Sequence, residues 1–196
     1  MEINKSRLFI ISGSMATSKD TTLNELSNRG VVKTLLSTTT RPKRPSEQQG
    51  REYNFVTEEE FDKKDFVEKR LYRVANGDTW YYGLSYDEIF KCYDIPGNYA
   101  VILDVQGMRK LKEYINRTFG EGIEVITVML QASYYTRLKR YLNRDKIDDE
   151  LIKECCRRLL ADSDEIEKYS NEYDVVLKSE DNDLERNIKI IKSLCD

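Results

Sequence analysis

The chain has 196 residues, with 32 Lys plus Arg against 35 Asp plus Glu for a formal net charge of −3, and no histidine. That balance gives no bulk reason to expect nucleic acid or an anionic membrane as partner, and the missing imidazole removes Ser-His and Cys-His nucleophiles, leaving chemistry to carboxylates, Lys, Arg and metal. Phosphoryl transfer suits that restriction, because it needs positioning and charge neutralisation more than a strong base. No stretch approaches the roughly eighteen apolar residues of a membrane span, and MEINKSRLFII has too short an apolar region for a signal peptide, so a cytoplasmic chain is expected. Cys92, Cys155, Cys156 and Cys195 form no CxxC pair and are expected as reduced thiols.

In chain order, residues 7–12 predict a buried strand and residues 19–29 a helix ended by Gly30, with Leu23 and Leu26 on one face. Between them lies GSMATSKDTT, residues 13–22, where a phosphate loop G-x-x-x-x-G-K-[ST] would sit. Gly13 and Lys19 match that loop; Ser18 and Asp20 replace its second glycine and its hydroxyl. A side chain at a position needing φ > 0 costs roughly 1–2 kcal/mol, which is tolerable. Asp20 either holds Mg²⁺ directly or repels phosphate, and Thr21 and Thr22 offer hydroxyls next door.

Residues 31–36 read as a second strand and the polar residues 37–50 as a loop. A short strand at 53–56, a helix at 58–68 and a hairpin of 71–74 with 79–82 around Asn76-Gly77-Asp78 make the middle third a sheet-rich insertion. Strands at 99–103, 123–130 and 174–177 then alternate with helices at 107–118, 134–143, 148–169 and 184–194. Such alternation predicts an α/β fold, a parallel sheet flanked by helices, with ligands beyond the carboxyl ends of its strands.

Arg41 and Arg44, three apart on a proline-stiffened loop, can converge on a phosphate as a bidentate clamp, with Tyr53 and Tyr82 adding hydroxyls. The surrounding stretch, STTTRPKRPSEQQGREYNF at residues 37–55, resembles the nucleotide-monophosphate loop of guanylate kinases, S-x-T-T-R-x-x-R-x-x-E-x-x-G-x-[DE]-Y-x-F, at every fixed position. WYYGLS (80–85), ILDVQG (102–107), SYYTRLKRYLNR (133–144), CRRLLAD (156–162) and YDVVL (173–177) are similar to further segments of that family, so the resemblance spans about residues 7–195.

The resemblance implies a P-loop kinase type of fold: a core of residues 1–36, 99–132 and 159–196, an acceptor-binding insertion at 37–98 and a helical lid at 133–158. It implies transfer of the ATP γ-phosphoryl group to a nucleoside monophosphate, most readily GMP or dGMP, with Mg²⁺; its partners would be small nucleotides. Gly13, Ser18, Lys19, Asp20 and Thr21 would form the donor phosphate loop, with Asp20 a metal ligand. Ser37, Arg41, Arg44, Glu47, Tyr53 and Tyr82 would hold the acceptor, and Asp104 would face the acceptor or metal. Lys19 with Arg140, Arg144 and Arg158 would stabilise the transferring group.

Three positions depart from the family pattern. Counting back nine from Tyr82, where the family carries a Glu for the guanine edge, gives Arg73, with Glu68 or a slipped hairpin as the alternative source of the acid. Leu84 stands at a base-reading serine, and Ile102 at the first of two acids. These leave two other functions open: a kinase for another base, or a catalytically weak phosphate- or phosphopeptide-binding module.

Overall fold

The protein is described from a computed structural model, which covers residues 5–45, 47–74, 77–143 and 147–195, residues 161–167 by their backbone alone. Strand β1 (Ser6–Ser12) carries Leu8, Phe9, Ile10 and Ile11 with no exposed surface, because it is flanked on both edges and covered on both faces. It runs parallel to β7 (Asn98–Ile102), with Arg7 opposite Asn98, and to β8 (Ile123–Gln131), with Ser6 opposite Ile123. Adding β2 (Lys33–Thr34) and β9 (Val175–Lys178) at the edges gives an all-parallel sheet of order β2-β7-β1-β8-β9.

The period-two alternation sends Leu8, Ile10, Val101 and Met129 to one face, where they pack on Ile89 of α3 (Tyr86–Asp94) and on Met108, Leu111 and Ile115 of α4 (Val105–Thr118). Phe9, Ile11, Ala100 and Val128 face the other way, onto Leu23 and Leu26 of α1 (Lys19–Asn28) and Ile188 and Ile191 of α7 (Leu184–Ser193). Asp104 caps α4 by accepting from the Gly107 N–H at 2.7 Å, and Ser133 and Asp148 cap α5 (Tyr134–Leu142) and α6 (Asp149–Tyr169) in the same way. No described helix is long and apolar enough to cross a membrane.

A second sheet of order β4-β3-β6-β5 joins β3 (Thr38–Thr39), β4 (Asn54–Phe55), β5 (Phe66–Arg73) and β6 (Thr79–Ser85). Here the structure departs from the expected elements. The helix expected over residues 58–68 is only α2 (Glu58–Asp62), opened by a Thr57–Glu60 capping box. From Phe66 onward the chain is strand, since Phe66 stacks on Phe61 with ring centres 4.4 Å apart and lies against Gly83, where a Cβ would sit 2.6 Å from its ring. The hairpin is correspondingly longer, and β3 occupies part of the expected loop. The strand expected at 31–36 shrinks to β2, an edge strand with only Lys33 and Thr34 in register with β7. Helix α3 has no counterpart among the expected elements.

Candidate active site

A cavity of about 390 Å³ opens at the carboxyl ends of β1 and β7 and is closed on its far side by β5 and β6. Its donor-side wall is the turn from β1 into α1. Gly13 is obligatory there, because its φ is +150° and a Cβ would meet the Leu130 carbonyl oxygen at 2.4 Å. Ala16 and Ser18 adopt left-handed φ of 59° and 63°, so the turn keeps a glycine-type conformation without glycine, at roughly 1–2 kcal/mol per residue. Lys19 Nζ donates to the carbonyl oxygens of Gly13 and Ser14, both at 2.7 Å, and α1 begins at Lys19, bringing the N-terminal end of the helix to the cavity.

The opposite wall is built on paired charge. Arg41, 5% exposed, donates from Nη2 to Glu47 Oε1 at 2.7 Å and from Nε to the Tyr82 hydroxyl at 3.2 Å, and its guanidinium lies 5.6 Å from the Tyr53 ring centre. Burial alone would lower the Arg41 pKa, but the hydrogen bond to Glu47 and the Tyr82 oxygen outweigh it and hold the guanidinium above its ordinary value. Burial would likewise raise Glu47, and its bonds from the Arg41 side chain and Arg44 N–H reverse that, keeping it an anion. Burial, reinforced by the charge of Asp20, pushes the Tyr53 phenol upward, so it remains a neutral donor. Arg44 is half exposed beside this set, and Ser37 is buried at its edge.

Strands β5 and β6 supply Arg70, Tyr72 and Trp80, which the sequence reading passed over, beside Tyr82 and Glu68, which it named. Arg70 pairs across strands with Tyr82 and Tyr72 with Trp80, and all four line the cavity with Glu68. Glu68 is 3% exposed; its Oε2 has no hydrogen-bond partner among the described residues. Burial first, then the Asp104 carboxylate, raises its pKa to about 7, with Arg70 opposing. Asp104 accepts from Arg70 Nε at 2.7 Å and from the Tyr72 hydroxyl at 2.5 Å. Arg73 is exposed at the end of β5 opposite Thr79 and does not line the cavity, whereas Glu68, the alternative source of the acid, does. Leu84 is fully buried in the core, and Ile102 puts an apolar side chain on the cavity wall.

Of the expected site residues, Gly13, Ser18, Lys19, Asp20, Ser37, Arg41, Arg44, Glu47, Tyr53, Tyr82, Asp104 and Arg158 line this one cavity. Thr21 is exposed on α1 outside it. Arg158 enters the lining while Nε holds Glu154 at 2.6 Å, and its neighbour Arg157 lines the cavity too. Arg140 lies behind the donor turn instead, donating to Ser179 O at 2.7 Å and pairing with Asp181 at 3.3 Å. Arg144 lies outside the described residues. Among the described residues no group of three His, Cys, Asp or Glu could hold a metal, so any divalent ion must take most of its ligands from phosphate and water, with Asp20 the exposed carboxylate at hand.

The sequence profile described as guanylate kinase matches residues 5–196. A guanylate kinase of Malacoplasma penetrans is 30% identical over 181 residues, covering 90% of this chain and 87% of its own, and that of Koribacter versatilis is 34% identical over 174 residues, 87% and 70% of the two chains. The crystal structure of a guanylate kinase from Anaplasma phagocytophilum superposes with a TM-score of 0.68 at 20% identity, over 97% of this chain and 85% of that one, a likeness of fold.

Proposed function

The chain belongs to the guanylate kinase family and is a nucleoside monophosphate kinase, and from that premise we propose that it transfers the γ-phosphoryl group of ATP to GMP or dGMP. The observation that carries the proposal is that the Arg41–Glu47–Tyr82 clamp and Glu68, whose buried Oε2 has no hydrogen-bond partner among the described residues, line one cavity with the phosphate turn. Arg41, Arg44, Tyr53, Tyr82 and Ser37 would hold the acceptor phosphate, to which charge-assisted bonds contribute about 1.5–3 kcal/mol each. Glu68, as a carboxylate, would accept from the N–H edge of guanine. Lys19 and the first turn of α1 would hold the donor phosphates, and Arg158, Arg140 and Arg144 would gather on the transferring group as residues 133–158 close over a core of 1–36, 99–132 and 159–196. The acceptor phosphate oxygen is already anionic at neutral pH, so no protein base is needed.

Asp20 would hold Mg²⁺, and Asp104 becomes available to it if Arg70 turns away. When bound, Mg²⁺ supplies neutralisation of phosphate charge. The test is ADP formation from ATP with GMP, dGMP, AMP, CMP, UMP and dTMP. Turnover with GMP and dGMP at least about 100-fold above the rest supports the reading. A preference for another base, or silence across the panel, overturns it. Ile102 and Asp20 favour one second reading, phosphate binding without turnover, in which Lys19→Ala would leave GMP binding and the absent turnover alike unchanged.

A further inference from the structure

The donor turn is gripped from outside. Met15 and Ala16, at its tip, bury their side chains among Tyr141 of α5, Cys155 of α6, and Leu151 and Leu159, so the turn is inserted between the two lid helices. Each carbonyl from Gly13 to Thr17 accepts a hydrogen bond from a side chain. Lys19 serves Gly13 and Ser14, and Thr17 Oγ1 also reaches Ser14 O at 2.9 Å. Arg137 Nε reaches Met15 O at 3.1 Å, Arg140 Nη1 reaches Ala16 O at 3.4 Å, and Ser179 Oγ reaches Thr17 O at 2.8 Å. Arg137 is 3% exposed, with its guanidinium 5.4 Å from the Tyr134 ring centre.

A glycine turn visits left-handed φ without penalty; Ala16 and Ser18 do so only under constraint. We propose that Arg137 is a positioning residue for the donor site: from lid helix α5 it holds the Met15 carbonyl outward and so fixes the left-handed turn at Ala16 that shapes the ATP phosphate cradle. The Met15, Ala16 and Thr17 carbonyls, held by Arg137, Arg140 and Ser179 outside the cavity lining, are turned from the phosphates they would repel. Arg137 and Arg140 lie three apart on one face of α5, so the lid carries the loop's support with it, and lid position and donor-site shape are coupled.

This inference rests on ATP being the donor. Its test is MgATP and GMP binding by calorimetry on the full chain, with circular dichroism to verify folding. Arg137→Met keeps the buried volume and removes the donor. It is expected to raise the MgATP Kd by about 10–100-fold while moving the GMP Kd less than about twofold. In an Ala16→Gly/Ser18→Gly background, where the turn needs no constraint, the same substitution should cost less than about threefold. An unchanged MgATP Kd, an equal loss for ATP and GMP, or an equal loss in the glycine background overturns the proposal. Should Arg137→Met not fold, Arg137→Lys carries the test through the same arms, with a smaller shift of about 2–5-fold because a flexible ammonium replaces the planar fork. Failure of wild-type protein to bind MgATP would instead overturn the choice of donor.

Discussion

The two walls of the cavity are made in different ways. On the wall proposed for the acceptor, function is stored in side chains: Arg41 and Glu47 are paired and buried, with Tyr82 and Tyr53 half-buried against them. On the wall proposed for the donor it is stored in backbone, a turn with left-handed φ at Ala16 and Ser18 whose carbonyls are held by Lys19 within the cavity and by Arg137 from outside it. Side-chain chemistry cannot change its residues and survive. Backbone shape can, because different residues reach the same dihedrals when something else bears the strain. The contrast explains why the loop at residues 37–55 matches its family pattern at every fixed position while the phosphate loop keeps only Gly13 and Lys19.

Substitutions can break or sharpen that contrast. Arg41→Ala should have the largest effect, lowering kcat/KM for GMP by about 10³-fold through two lost charge-assisted bonds, and it should also lower Tm because Glu47 loses its closest cation. Steady-state kinetics with varied GMP checks this; near-normal GMP kinetics would mean the clamp is structural. Lys19→Met should cut turnover by about 100-fold while sparing GMP affinity, since the acceptor wall does not depend on it. Equal damage to both substrates would merge the two walls into one unit.

Glu68→Gln should have a smaller effect, and one that depends on pH. Burial and Asp104 hold the Glu68 proton up to about 7, with Arg70 and Lys110 opposing, whereas guanine's N–H edge needs the carboxylate. The KM for GMP should therefore fall by up to about tenfold from pH 6 to 8 in the wild type, beyond any change in Glu68→Gln, where ionisation of the GMP phosphate alone remains. The sign for stability is opposite. The folded state keeps a proton that the unfolded chain releases near 4.5, so the wild type loses stability relative to Glu68→Gln as pH rises from there to about 7. Parallel KM profiles would remove Glu68 from base recognition. Smallest of all, Ser18→Gly should relieve the left-handed strain and raise Tm by about 2 °C, readable by calorimetry.

The same contrast governs what could be read from the letters. The alternation of apolar runs placed the parallel sheet and most of its helices, and Arg41, Arg44 and Tyr53, named from their spacing, line one cavity with Glu47, named from the resemblance. FVEKRLYR, the sequence of β5, gave a strand signal only from Leu71 onward because its alternation is polar: Glu68, Arg70 and Tyr72 line a cavity, and a cavity face looks like solvent in a hydropathy pattern. The period-two spacing of those residues opposite Trp80 and Tyr82 was the available clue. Counting nine back from Tyr82 reaches Arg73, which is not in the cavity lining because the β5–β6 hairpin is longer than the one expected. The supports of the donor turn were illegible, since Arg137 and Ser179 meet Met15 and Thr17 only through the fold.

The chain contains a single tryptophan, Trp80, and it stands half-buried on the cavity wall opposite Tyr72. All indole emission therefore originates within one binding site, next to the Arg70 and Glu68 positions where a base would settle. The enzyme carries its own optical reporter: a ligand entering the acceptor pocket changes the quantum yield of that one fluorophore, and occupancy can be followed in stopped flow on unlabelled wild-type protein, apart from any chemistry that follows.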